Sequence, residues 1–256
     1  MIADMPVLRQ LYKALAWVAL QTSLLVMLLL LGLMSVGWNL AAVLLYPVMS
    51  RDAGRRLGRD MISRGYAAFW SMAQASGMMQ MDGSALDSLR DEEGLIVVAN
   101  HPSMIDAMLL VAHLPLSACI MKASLMRNPL LGPGARLARY IRNDSAFGMI
   151  HCAVTDLRSG GQLVLFPEGT RTTQRPLNRF HASFAVIARR AQAPVQAVFI
   201  DTGSPYLGKG WPLWRLPPLP IRFTVRLGQR FDPPHEVKAL VAEVESHFAA
   251  GVRHSH

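Results

Sequence analysis

The chain has 256 residues, of which 52% are hydrophobic and only 17% charged, with a net charge of +9. That length suits one α/β domain plus an extra element, and the composition is more apolar than that of an ordinary soluble domain. The positive charge suits polyanions such as nucleic acid, anionic lipid or phosphorylated substrates, while the two cysteines, Cys119 and Cys152, lack CxxC spacing and read as buried thiols rather than a zinc-type cluster.

From Ala14 to Ser50 there is no charged residue, and Leu24 to Leu31 is almost pure leucine. A cleaved signal peptide has a shorter apolar core, so this segment stays in the mature protein. As one helix it would run roughly 55 Å, against a hydrocarbon core of about 30 Å. Either it is a single tilted span, the preferred reading, or a helical hairpin broken near Gly32, Ser35, Gly37 and Asn39. Arg51, Arg55, Arg56, Arg59 and Arg64 follow it, and only Arg9 and Lys13 precede it. That asymmetry puts the remainder of the chain on the cytoplasmic side of a membrane, with the arginines lying against anionic lipid.

Arg55 to Met79 has the apolar periodicity of a helix, ended by Gly77 and Asp82-Gly83. Three segments result: a membrane-anchoring segment (1–50), a basic amphipathic membrane-surface helix (51–85) and an α/β domain (86–256). In that domain strand and helix signals alternate. Strands are expected at Leu95–Ala99, Ser117–Met121, Tyr140-Ile141, Gln162–Phe166, Val195–Ile200 and Ile221–Leu227. Helices are expected at Ser103–His113, Asn128–Arg139, Ser145–Ser159, Phe180–Gln192 and His235–Ala250. The fold class is therefore α/β: a mostly parallel central sheet flanked by helices, preceded by an N-terminal membrane helix or helical hairpin. Ligands in such sheets bind beyond the carboxyl ends of strands, which points to the residues after Ala99 and after Phe166.

After the first of these strands comes Asn100-His101-Pro102-Ser103-Met104-Ile105-Asp106. Transfer of an acyl group to an alcohol needs a base for the hydroxyl proton, and neutral imidazole suits that role near pH 7. A carboxylate one turn into the next helix can orient the ring. The spacing alone is weak, because Ser103-x-x-Asp106 also matches a helix capping box and because His151 and Asp156 repeat it. That second pair lies within a helix, where a separation of five points side chains to different faces. After Gln162–Phe166 comes Phe166-Pro167-Glu168-Gly169-Thr170-Arg171-Thr172. Here Gly169 permits a positive φ or close backbone approach, Thr170 and backbone amides can donate to an anion, and Arg171 offers a planar fork.

These two segments, in this order and spacing, resemble the NHxxxxD and FPEGTR signatures of the glycerolipid acyltransferase family, whose bacterial type member is 1-acylglycerol-3-phosphate acyltransferase. The resemblance covers roughly Leu86 to Leu227, with Ala193-Pro194-Val195 matching a weaker last motif. It implies a fatty acyl group moved from acyl-CoA or acyl-carrier protein to a lipid hydroxyl, with no cofactor and no metal. It also implies His101 as general base, Asp106 as its partner, and Glu168, Gly169, Thr170 and Arg171 in acceptor binding. The family's Ile-Asp-Arg strand, whose Arg helps hold an acceptor phosphate, corresponds to Ile141-Arg142-Asn143, so Arg142 and Asn143 join the candidate site with the Arg one place early. The acceptor is then of the lysophosphatidate type or another hydroxylated lipid. The resemblance implies a bacterial inner membrane, with the catalytic part facing the cytoplasm and an anionic membrane surface as partner.

Lys209 to Pro218 is apolar, broken by prolines and rich in tryptophan, which suits a membrane interface. The alternative function is a catalytically silent, membrane-anchored lipid-binding relative, against which His101 and Asp106 both stand intact. A nucleic-acid binder is excluded, because the positive charge clusters beside the apolar segment and no recognition motif appears.

Overall fold

The computed structural model describes residues 6–174 and 177–252. Seven strands form one sheet in the order β1-β7-β6-β2-β5-β3-β4. They are β1 (Met79–Asp82), β2 (Ile96–Ala99), β3 (Ser117–Lys122), β4 (Ile141–Asn143), β5 (Gln162–Leu165), β6 (Val195–Asp201) and β7 (Ile221–Phe231). All pairings are parallel except β6 with β7. Strands β2 and β5 are each fully buried over four residues, as central strands covered on both faces must be. Alternate side chains of β2 feed the two cores: Val97 and Ala99 one, Ile96 and Val98 the other.

Among the described residues, eight α-helices accompany this sheet: α1 (Pro6–Leu45), α2 (Arg51–Ala75), α3 (Asp106–His113), α4 (Ala123–Arg127), α5 (Gly132–Leu137), α6 (Ala146–Arg158), α7 (Ser183–Ala191) and α8 (Val237–Gly251). Phe69 and Trp70 of α2 and Leu109 and Leu110 of α3 pack on one face, and Phe184 of α7 and Phe248 of α8 on the other. The expected helix over Asn128–Arg139 is two short helices, α4 and α5, with Pro129 between them. Strand β1 lies in a stretch whose patterning predicts a helix end and a linker.

The break that the hairpin alternative places near Gly32, Ser35, Gly37 and Asn39 does not occur, and α1 is one helix of 40 residues. Its segment Arg9–Leu45 is apolar and long enough to cross a membrane. Yet Leu24, Met27, Asn39 and Ala42 are buried, because one stripe of the helix lies along the rest of the fold. Gln21 Nε2 donates to the Trp214 carbonyl at 2.7 Å, and Ser35 Oγ to the Leu130 carbonyl at 3.0 Å. The Gly134 amide donates to Asn39 Oδ1 at 2.8 Å. The opposite stripe, including Leu25, Leu29, Leu33, Leu40 and Leu44, is exposed.

Two arginines expected to face lipid turn inward. Arg59 is 4% exposed and donates to the carbonyls of Ala138 and Leu116 and, at 2.7 Å, to Asp156. Arg55 reaches the same carboxylate at 3.2 Å. Arg51, Arg56 and Arg64 remain exposed. Helix α2 approaches so closely at Gly58 that a Cβ there would lie 2.6 Å from the Ala138 backbone. Of the two cysteines, Cys119 is buried as expected, while Cys152 is exposed on α6.

Candidate active site

Strands β2 and β5 are parallel neighbours, with Val98 opposite Leu165. The segments that leave their carboxyl ends therefore emerge side by side, though more than sixty residues separate them in sequence. His101 follows β2, and the Phe166–Thr172 turn follows β5.

His101 Nδ1 lies 2.9 Å from Asp106 Oδ2. The same oxygen accepts from the Ser103 amide at 2.7 Å, so one carboxylate closes the turn into α3 and orients the ring. Only this half of the capping box forms, because Ser103 Oγ donates to the Tyr206 carbonyl at 2.9 Å instead. Asp106 is completely buried, and burial pushes its carboxyl up to about 6, against the lowering effect of His101. An ionised carboxylate only accepts hydrogen bonds. Nδ1 then carries the hydrogen, and Nε2 is left as the basic nitrogen. The imidazole stacks on Phe166 with ring centroids 4.0 Å apart, which fixes its plane. Its side chain is 18% exposed, enough to be reached.

The backbone of His101 is held by the second signature. Its amide donates to Glu168 Oε1 at 3.0 Å, and its carbonyl accepts from the Thr172 amide at 2.8 Å. Glu168 is buried. Its Oε1 also accepts from Thr172 Oγ1 at 2.7 Å, and its Oε2 from the Asn178 amide at 2.9 Å. The carboxylate expected in acceptor binding is thus a clamp between the two motifs. Gly169 has φ +66° and is exposed, with His181 beside it. A left-handed conformation is cheap only for glycine, which explains the residue at the tip of the turn. Thr170 is exposed. Arg171 Nη1 donates to the carbonyls of Leu207 and Gly208 at 2.9 and 3.0 Å, tying the loop before the tryptophans to the turn.

Asn100 has no catalytic contact but a clear structural one. Its side chain donates to the Ile200 carbonyl at 2.9 Å and accepts from the Ile200 amide at 2.8 Å. It extends the β2–β6 ladder by one side-chain amide and sets where His101 begins. Neither this role nor the Glu168 clamp is visible in spacing, because the partners lie 100 and 67 residues away.

Arg142 and Asn143 are not brought to His101. They lie on β4, at the sheet edge and three strands from β2, which is about 14 Å at ordinary strand spacing. Arg142 is ion-paired to Asp144 at 2.5 Å. Lys122, which no sequence motif marks, ends β3 exposed and pairs in register with Asn143. The control pair separates as its helical spacing requires: His151 is exposed and stacks on Phe147, while Asp156 serves Arg55 and Arg59. The groups at this site are a buried carboxylate, a histidine with one free nitrogen, and a turn with exposed backbone. That set performs proton transfer and anion stabilisation.

Comparison with known proteins agrees with the geometry. Residues 82–201 match a family model described as acyltransferase. Over 191 residues the chain is 29% identical to a lyso-ornithine lipid O-acyltransferase of Pseudomonas aeruginosa, covering 70% of this chain and 71% of that protein. The crystal structure of the 1-acyl-sn-glycerophosphate acyltransferase of Thermotoga maritima superposes with a TM-score of 0.63 at 22% identity, over 89% of this chain and 98% of that one, and so shares its fold. Residues 82–201, which hold His101, Asp106 and the Glu168 turn, are thus an acyltransferase domain, and the chain is an acyltransferase.

Proposed function

We propose that the chain transfers a fatty acyl group from acyl-carrier protein or acyl-CoA to the hydroxyl of a lyso-lipid, with His101 as general base. The observation that carries this reading is the 2.9 Å contact between His101 Nδ1 and the buried Asp106, which leaves Nε2 as the basic nitrogen. The acceptor hydroxyl gives its proton to Nε2 as its oxygen attacks the thioester carbonyl. The tetrahedral oxyanion is stabilised by donors of the Gly169–Thr170 turn, and its collapse expels the thiolate, which takes the proton back from Nε2. An ester bond forms and a thioester bond breaks.

The acceptor is an amino-acid lipid of the lyso-ornithine kind in preference to lysophosphatidate. Two observations favour it: the activity named for the Pseudomonas relative, and the position of Arg142 at the far sheet edge, already neutralised by Asp144. Lysophosphatidate is the second reading, favoured by the shared fold. The protein sits on one membrane face, with α1 along the interface, the exposed tryptophan loop beside it at Gln21, and the site on the cytoplasmic side. Purified protein given labelled acyl donor and each acceptor separately tests the function. Product with neither acceptor, or full activity in His101→Ala together with loss in His151→Ala, sinks the proposal.

A further inference from the structure

We propose that a groove on the outer edge of the sheet is a second, non-catalytic site, which holds the phosphate of an anionic membrane phospholipid. The groove has a volume of about 730 Å³, within the range of roughly 300–1,000 Å³ typical of small-molecule sites. It runs beside β4, on the far side of β5 and β3 from the catalytic strand. Five arginines line it: Arg51 and Arg55 of α2, Arg136 of α5, Arg139 from the link into β4, and Arg142 of β4.

Two of these charges are met, Arg55 by Asp156 at 3.2 Å and Arg142 by Asp144 at 2.5 Å. Among the described residues, no carboxylate pairs with Arg51, Arg136 or Arg139. Asp52 also lines the groove, so five cations face three carboxylates. Like charges drawn together from two separate stretches, α2 and residues 136–142, repel unless an anion joins them. Arg139 is committed to this place. It adopts a left-handed backbone conformation at φ 57°, which disfavours any residue with a Cβ. Its guanidinium lies 5.1 Å from the centre of the Tyr46 ring, and Nη1 donates to the Tyr46 hydroxyl at 3.2 Å. The Nε atoms of both Arg55 and Arg139 are buried without a partner among the described residues. Ser145 and Gly148 line the same groove, and the Gly148 amide donates to Ser145 Oγ at the start of α6. The positive end of this 13-residue helix therefore points there too.

The surroundings choose the source of the anion. Leu44 and Val48, at the elbow between α1 and α2, are 74% and 77% exposed, and Phe147 on the first turn of α6 is 76% exposed. Leu44 and Val48 continue the exposed stripe of α1, and Phe147 adjoins Gly148 of the groove. A phospholipid would set its phosphate among the arginines and its chains against that stripe, and a zwitterionic choline headgroup would bring a cation among them. The site relies on membrane residence as proposed above and not on acyl transfer, so the two can fail separately.

The test uses the full chain in neutral detergent. Binding of phosphatidylglycerol and of phosphatidylcholine is compared by native mass spectrometry, with inorganic phosphate as a third ligand. The expected result is phosphatidylglycerol held about tenfold tighter than phosphatidylcholine, as charge-assisted contacts require. Arg51→Gln with Arg139→Gln should abolish that preference, and the corresponding double Lys variant should keep most of it. Neither change should alter acyl transfer in detergent, because both residues lie outside the His101 site. Equal binding of the two lipids, or a preference that survives in the Gln variant, overturns the site. Arginine-dependent binding of inorganic phosphate with no lipid preference makes free phosphate the ligand and overturns the lipid assignment.

Discussion

Both oxygens of Glu168 are occupied before any substrate arrives. They take the His101 and Asn178 amides and the Thr172 hydroxyl, so the carboxylate fixes where His101 stands. Glu168→Gln would turn an NH2 toward one set of these donors. We expect kcat to fall roughly 10- to 100-fold through misplacement of the base, with the acceptor KM nearly unchanged; a large KM rise at constant kcat would instead make Glu168 an acceptor ligand. The orienting carboxylate itself is Asp106. Burial raises its carboxyl to about 6 from an ordinary 3.8. Protonation removes the acceptor that fixes Nδ1–H, so the transfer rate should decline as pH falls through about 6. Asp106→Asn should lose on the order of 10³- to 10⁴-fold in kcat at pH 7. The effect on stability runs the other way. A raised carboxyl makes a contribution that is full below about pH 4 and lost as pH rises through about 6. Thermal unfolding in detergent across that window should therefore show wild type losing stability relative to Asp106→Asn as pH rises.

At the scale of elements, α2 is fastened to the sheet through Arg59. Its three nitrogens meet two carbonyls and Asp156. Removing one member of a buried ion pair costs about 3–5 kcal/mol, because the remaining charge is left without compensation. Arg59→Ala should lower unfolding stability by that order, while Arg55→Ala should cost less, since Arg55 is more exposed. Comparable losses in the two variants would show that Asp156, not Arg59, bears the cost. These contacts also mark where sequence stops being legible. The central strands could be read because four consecutive apolar residues buried on both faces leave an unbroken hydrophobic run, as in Ile96–Ala99. Edge strand β1 could not: Met79–Asp82 alternates, and its hydrogen bonds come from Ile221–Thr224, some 140 residues away. The hairpin alternative for α1 placed a break near Gly32, Ser35, Gly37 and Asn39, and among these the glycines are the helix breakers. A glycine costs a helix only about 1 kcal/mol, and nothing lies within 4 Å of where their Cβ atoms would be, so nothing there forces a bend. One motif gave His101 and Asp106 as neighbours, because both lie just beyond one strand end. The inward turn of Arg59 and the remoteness of Arg142 depend on which elements become neighbours, and no local pattern encodes that.

At the scale of the whole molecule, the position of α1 decides how the protein meets the bilayer. The helix is bonded to the catalytic body at Gln21, Ser35 and Asn39. Residues 21–45 therefore lie along that body for about 38 Å at the helical rise, and residues 6–20 extend beyond it for only about 22 Å. A crossing needs about 30 Å of apolar helix, and the free part also carries Arg9 and Lys13, both exposed. Long basic side chains stay at the headgroup level. The helix should consequently lie in one leaflet, its buried stripe on the protein and Leu25, Leu29 and Leu33 in lipid. Val7→Cys, placed in a chain with Cys152→Ser so that the exposed native thiol does not report, should react with an impermeant maleimide only from the side that exposes the catalytic body. Labelling of the introduced thiol from the opposite side of sealed vesicles would show a true span, and would require the contacts at Gln21 and Ser35 to open in the membrane. A complementary change separates anchoring from folding. Leu25→Asp with Leu29→Asp puts charge on the exposed stripe alone, so membrane retention should fall steeply while the thermal transition in detergent stays within a few degrees of wild type. Leu24→Asp, on the buried stripe one residue away, should instead lower that transition, because its charge would be buried against the protein with no partner.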